Sequence, residues 1–247
     1  VSSDTAGRRG GAARIVFIAG FCVVALVCAG LGIWQLQRLN WKLDLIARVE
    51  ARLRAPPVPA PGPATWDAIT GTADEYRRVV LQGRYIEAPE TLTMAVTERG
   101  AGFWVLAPFR ADAGFTVLVN RGFVPEGKRA PGDRRKTAND ETRVVGLLRP
   151  SEPGGGFLRA NDPRAGRWYS RDVAAIAQAQ GLGQVAPYFV DADAAAEPGP
   201  LPRGGMTQVS FRNTHLVYAL TWFCLALMSA GAAAFLITRR ADDPSMS

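Results

Sequence analysis

Phe211-Arg212-Asn213-Thr214-His215-Leu216-Val217-Tyr218-Ala219-Leu220-Thr221-Trp222-Phe223 begins polar and runs into a long apolar segment. From Leu216 to Thr238 there are 23 residues without a charge, and Arg239-Arg240 follows. A helix of roughly 20 apolar residues crosses a bilayer, so this stretch predicts a membrane span and with it the fold class. His215 is the sole histidine of the chain. Helical spacing puts Arg212, His215, Tyr218 or Ala219, and Trp222 on one face at one membrane surface. Two readings follow. Aromatic and basic residues gather at the ends of any membrane helix, and histidine is also a common metal ligand. The pattern alone leaves both open.

Toward the N-terminus a second span is expected. Ile15 to Leu36 is 22 residues without a charge, preceded by Arg8, Arg9 and Arg14. The run exceeds the roughly 7–15 apolar residues of a signal peptide, which favours a retained anchor. Residues 1–14 then form a tail, 15–37 the first span, 38–214 an extramembrane domain, 215–238 the second span and 239–247 a second tail. Two spans put both tails on one side of the membrane. Apolar residues recur at Leu36, Leu39, Leu43 and Ile46, so the first helix continues out of the membrane. Five prolines among residues 55–63 end it in what reads as a linker.

The middle region reads mostly as strands: Val79–Ile86, Thr91–Val96, Phe103–Phe109, Phe115–Asn120, Arg143–Leu148 and Tyr188–Asp191. They are rich in Val, Phe, Tyr and Thr and are separated by Gly, Pro and Asp signals. One helix, about Asp172 to Gln180, interrupts them. Short connections predict antiparallel pairing in a small barrel or stacked sheet. The fold class is therefore α+β: a two-helix membrane hairpin carrying a mostly antiparallel β domain with a short helix. Pro125 to Glu141, with Lys128, Arg129, Arg134, Arg135 and Lys136, reads as a solvated basic loop or a docking surface for acidic groups.

The available chemistry is narrow. With its one histidine at a membrane surface, the middle region has none for a Ser-His-Asp triad. Cys22, Cys28 and Cys224 all lie in the spans, so the middle offers no disulfide framework and no thiolate site for copper. No phosphate-binding Gly-Lys loop is present, and Asp74-Glu75 reads as surface charge. Between Trp41 and Thr214 there are 23 basic and 19 acidic side chains, an excess of +4 that is too small to suggest nucleic-acid binding. A membrane-anchored binding or assembly protein fits better than an enzyme.

Motifs in three parts of the chain carry a resemblance. The first span ends in Gly32-Ile33-Trp34-Gln35-Leu36-Gln37-Arg38, followed by Trp41-Lys42. The middle holds Leu118-Val119-Asn120-Arg121-Gly122-Phe123-Val124-Pro125, read here as a turn at Asn-Arg-Gly, and Asn161-Asp162-Pro163. The last span opens with Arg212 to Phe223. Together, over about Arg14 to Arg240, they resemble the surfeit-locus-protein-one (Shy-one) family of cytochrome c oxidase assembly factors. The resemblance implies a bacterial plasma (inner) membrane protein with cytoplasmic tails and a periplasmic domain. It implies haem a as cofactor, with His215 as its candidate iron ligand, and no turnover of its own. Implied partners are the catalytic subunit of the oxidase and haem a synthase, besides the lipid bilayer. Under this topology Trp34, Gln35 and Arg38 lie at the depth of Arg212, His215, Tyr218 and Trp222. Trp34, Tyr218 and Trp222 could wall a haem, and Arg38 and Arg212 could meet its propionates. A purely structural scaffold that never touches haem is the rival reading. The small residues Ala226, Ala230 and Ala234 recur every four positions and could pack a helix closely, either the first span or a helix of the oxidase.

Overall fold

The computed structural model describes residues 3–130, 141–156, 158–195, 201–207 and 213–239, with side chains of the first helix from Ala13 onward. Arg134, Arg135 and Lys136 of the basic loop, and Arg212, lie outside the described residues. The chain forms two compact units: residues 1–47 with 210–247, and residues 48–209.

The first unit is helical. α1 (Ser3–Arg54) begins well before the expected span and continues beyond it, while α4 (His215–Thr238) has the expected bounds. Both are long and apolar enough to cross a membrane. Their packed positions repeat at alternating steps of four and three. On α1 these are Arg14, Ile18, Phe21, Ala25, Cys28, Gly32, Gln35 and Leu39. On α4 they are His215, Ala219, Trp222, Ala226, Ser229, Ala233 and Leu236, flanked by the half-buried Phe223 and Ala232. A seven-residue repeat of this kind is the spacing of a packed helix seam. Of the small-residue face Ala226 is on the seam, while Ala230 and Ala234 are exposed; Ala219 and Ala233 are the buried alanines of the pair. A seam of period seven uses alternate four- and three-residue steps, not successive fours. Away from it, Val16, Leu26, Leu227 and Met228 are 69–74 % exposed, a surface suited to lipid rather than water.

The second unit is a closed sheet. Its strands are β1 (Val58–Pro59), β2 (Arg78–Tyr85), β3 (Thr91–Thr97), β4 (Gly100–Ala111), β5 (Thr116–Pro125), β6 (Thr142–Pro150) and β7 (Val185–Ala192). The order is β1-β2-β6-β7-β5-β4-β3, and β2 also pairs with β4, so five strands close a barrel. At the closing pair Gly83 has φ +145°, and a Cβ there would lie 2.1 Å from the Arg110 carbonyl oxygen; the seam admits only glycine. Val79, Leu81, Phe109, Val117, Val119, Tyr188 and Val190 fill the interior. α2 (Gly71–Asp74) is a single turn, and α3 (Val173–Ala179), capped by Asp172 accepting from Ala175 N–H, packs Val173 and Ile176 with Leu106, Leu118 and Phe189 in a second cluster. Every side chain of β5 from Thr116 to Val124 is buried.

Three expectations change. β1–β2 and β5–β7 are parallel, the latter joined by a crossover through β6 and α3. The proline segment is not a free linker: β1 lies in it, the Tyr188 hydroxyl donates to Pro61 O at 2.6 Å, and Trp66 and Ile69 pack on the barrel core. The Asn-Arg-Gly sequence is not a turn but lies within β5, where pairing shifts from Val105↔Gly122 to Leu106↔Asn120 and leaves Arg121 as the extra residue of a β-bulge.

A charged cluster ties the unit together. Asp191, its side chain 4 % exposed, meets Arg171 and Arg149 at 3.3 Å each. It also accepts from the Asn120 amide at 2.7 Å and from the Thr207 hydroxyl at 2.8 Å. Arg171 binds Glu152 at 2.5 Å, and Arg149 reaches Glu75 at 3.3 Å, so Glu75 is an ion-pair partner and not mere surface charge. Burial works against ionisation of Glu152, but the hydrogen bonds and charge of Arg171 outweigh it and hold the carboxyl below its usual range. The unfolded chain therefore binds this proton more readily, and stability rises with pH through the window. The contribution should be intact above about pH 4.3, the ordinary glutamate value. It should be lost as pH falls through the lower value of the folded state. Thermal melts of the full chain in detergent between about pH 3 and 6 should show this slope, and Glu152→Gln should flatten it. An unchanged slope in Glu152→Gln would assign it to other carboxylates.

Candidate functional site

Among the described residues two polar contacts tie α1 to α4, and they stand at opposite ends of the pair. At one end the Arg14 guanidinium donates to the Leu236 carbonyl. At the other, His215 Nδ1 lies 2.8 Å from Gln35 Oε1. From Arg14 to Gln35 and from His215 to Leu236 is the same 21 residues, roughly 31 Å at 1.5 Å per residue. That matches the ~30 Å hydrocarbon thickness of a bilayer. In a bilayer, an antiparallel pair held at its two ends would keep its polar contacts at the two surfaces and leave the apolar seam between them. Along the seam the Phe223 ring lies over Gly32, where a Cβ would come within 2.7–2.9 Å of it, so Gly32 sets how closely the helices approach.

His215 is the first residue of α4. Its backbone N–H donates to Asn213 Oδ1 at 3.3 Å, and its ring is half-buried on the seam. Because an amide oxygen faces the ring, the contact is a hydrogen bond only when Nδ1 carries the proton. That leaves Nε2 as a lone-pair donor, and no protein partner meets it among the described residues.

The residues expected around His215 divide. Trp222 shares the seam with it, half-buried two turns on. Tyr218 is 54 % exposed and Trp34 49 % exposed, both off the seam. Arg38 is exposed on the side of Trp34, its guanidinium 4.9 Å from the ring centroid of Trp41. Arg212 lies outside the described residues. One seam therefore carries His215, Trp222 and Gln35, and the exposed helix faces carry Trp34, Arg38, Trp41 and Tyr218. Gln35 is the residue that sequence reasoning placed at the right depth without a role. Its signal was present: a polar side chain inside an apolar run, at seam spacing from Gly32.

The donor set can be tested against a haem. Among the described residues no group of three or more His, Cys, Asp or Glu is arranged to hold a metal ion. A single neutral imidazole with its Nε2 unpartnered is, however, a sufficient axial ligand for haem iron, and the half-buried Trp222 on the same seam supplies flat apolar surface. The residues present fit a haem that would be held through His215, with Trp222 beside it.

Comparison with known proteins agrees with the span of these motifs. A profile described as the SURF1 family matches residues 22–227. The chain is 39 % identical to surfeit locus protein 1 of Mus musculus over 217 residues, covering 79 % of this chain and 67 % of the mouse protein. Against surfeit locus protein 1 of Homo sapiens the identity is 36 % over 222 residues, 83 % of this chain and 72 % of the human one. A SURF1-like protein of Monosiga brevicollis is 34 % identical over 253 residues, 95 % of this chain and 91 % of its own.

Proposed function

This chain belongs to the SURF1 family, and from that premise we propose that it is a membrane-anchored assembly factor for an aa3-type haem-copper oxidase, binding haem a and supporting its insertion into the catalytic subunit. It does so without turnover of its own. The observation that carries the reading is His215: the sole histidine, at one end of a membrane-length helix pair, with Nδ1 engaged and Nε2 unpartnered among the described residues. In this reading the barrel is periplasmic, both tails are cytoplasmic, the membrane is the bacterial plasma membrane, and haem a synthase is the donor.

Haem a, when bound, supplies a planar apolar macrocycle with an iron that takes axial ligands and anionic propionates. His215 would hold the iron through Nε2. Trp222 offers its half-buried ring beside it, and the exposed Trp34, Tyr218 and Arg38 present aromatic and cationic groups at the same membrane surface.

His215→Ala tests this. The substitution removes one hydrogen bond at a half-buried position, a cost of about 1 kcal/mol, too little to clear the protein from the membrane. In cells producing haem a, the variant is expected at normal abundance with its Soret absorbance lost, and with oxidase subunits made but poor in haem. Full haem content with an unshifted spectrum would remove His215 as the ligand. Wild-type protein purified from such cells without any haem would favour the scaffold reading.

A further inference from the structure

We infer that Gln35 is a positioning residue for His215, fixing the ring tautomer and orientation that leave Nε2 free for a ligand. The inference rests on the haem-ligation reading above and deepens it.

The geometry is specific. Gln35 and His215 are 180 residues apart and meet side chain to side chain at 2.8 Å across the helix seam. Gln35 lies one helical turn from Gly32, where the Phe223 ring packs against the α1 backbone. The close approach at Gly32 and the hydrogen bond at Gln35 therefore belong to one contact region, and the first holds the helices near enough for the second. His215 is independently held through its backbone by Asn213. A ring held at Nδ1 by an amide oxygen cannot rotate without losing that bond, and its proton can move to Nε2 only if the Gln35 amide turns as well, to present its NH2 in place of its oxygen. Neutral imidazole ligands of metals are commonly oriented in this way, by an acceptor on the nitrogen that does not bind the metal. A glutamine does so without adding charge at the membrane surface, where a carboxylate would cost more to desolvate.

The chain's single histidine makes the test direct, because labelling with ¹⁵N-histidine gives one imidazole. In the apo full-length protein in nanodiscs, the nitrogen spectrum should show a protonated Nδ1 and an unprotonated Nε2. Gln35→Leu keeps the volume and removes the acceptor, and the ring should shift toward the Nε2–H tautomer. Haem a affinity should fall about 10–100-fold, the usual effect of removing a partner behind a metal ligand. Gln35→Glu, which restores an acceptor oxygen, should restore the Nδ1–H tautomer. Circular dichroism and membrane abundance should be unchanged in both variants. A wild-type ring protonated at Nε2, or a Gln35→Leu spectrum identical to wild type, would overturn the inference. The haem reading fails separately: a tautomer that responds to Gln35 in a protein that binds no haem a would sink ligation and leave the positioning intact.

Discussion

Asp191→Ala is expected to destabilise the barrel unit by about 3–5 kcal/mol, the cost typical of removing one partner from a buried ion pair. Asp191 has a side-chain exposure of 4 %, and the arginines it faces, Arg149 and Arg171, have 14 % and 12 %. Alanine would also leave the Asn120 amide and the Thr207 hydroxyl without their acceptor. Arg171 keeps Glu152 and Arg149 keeps Glu75, so the loss should stop short of unfolding the unit outright. Asp193 provides the contrast two residues on. It pairs with Arg78 at 3.3 Å, but both side chains are about one-third exposed, 33 % and 29 %. Asp193→Ala should therefore cost no more than about 1 kcal/mol. The measurement is urea unfolding of the full chain in detergent, followed by near-ultraviolet circular dichroism. Equal midpoints for the two variants would show that the buried cluster contributes no more than a surface pair.

The contrast between these two aspartates also marks where the sequence was legible. The six expected strands all exist, because Val, Phe, Tyr and Thr fill positions that face a barrel core or its outer helix. Tyr188–Asp191, for instance, is the centre of β7. The helix near Asp172–Gln180 begins after its Asp172 cap as the local pattern requires. Both membrane-length helices follow from their uncharged runs. Tertiary pairing was less visible. A two-residue strand such as Val58–Pro59 has no periodicity of its own and exists only because β2 offers it an edge. The parallel β5–β7 pair depends on a crossover, which local spacing does not encode. Arg149, Arg171 and Asp191 look like solvated charges one at a time, and only their convergence buries them. At the candidate site the depth of Trp34, Gln35 and Arg38 was legible from the two spans, but their faces were not. Arg38 and Gln35 are three residues apart, and the period of the seam decides that Gln35 meets His215.

Gly122→Ala is the second substitution expected to cost heavily, about 4 kcal/mol, at the upper end for a single change. Its cause lies in the Asn120-Arg121-Gly122 bulge. The extra residue breaks the ladder and frees backbone groups, and the Asn120 side chain compensates by accepting from Gly122 N–H at 3.1 Å while giving its amide to Asp191. Arg121 is 1 % exposed, ion-paired with Glu90, its guanidinium 5.5 Å from the centre of the Tyr85 ring. Gly122 then takes φ +130°, a region that favours glycine. A Cβ at Gly122 would also fall 2.1 Å from the carbonyl oxygen of Arg203, whose backbone exchanges hydrogen bonds with Phe123 at 2.9 and 3.0 Å. Alanine must therefore both strain the bulge and push this segment off β5. Gly114 separates the two effects. It has φ +89° but open space around its Cβ position, so Gly114→Ala should carry only the conformational cost, about 1 kcal/mol. The difference between the two variants, read from denaturant midpoints of the full chain, measures the close approach of the Arg203 segment. If Gly122→Ala costs no more than Gly114→Ala, that approach is not what requires glycine, and backbone conformation alone accounts for the motif.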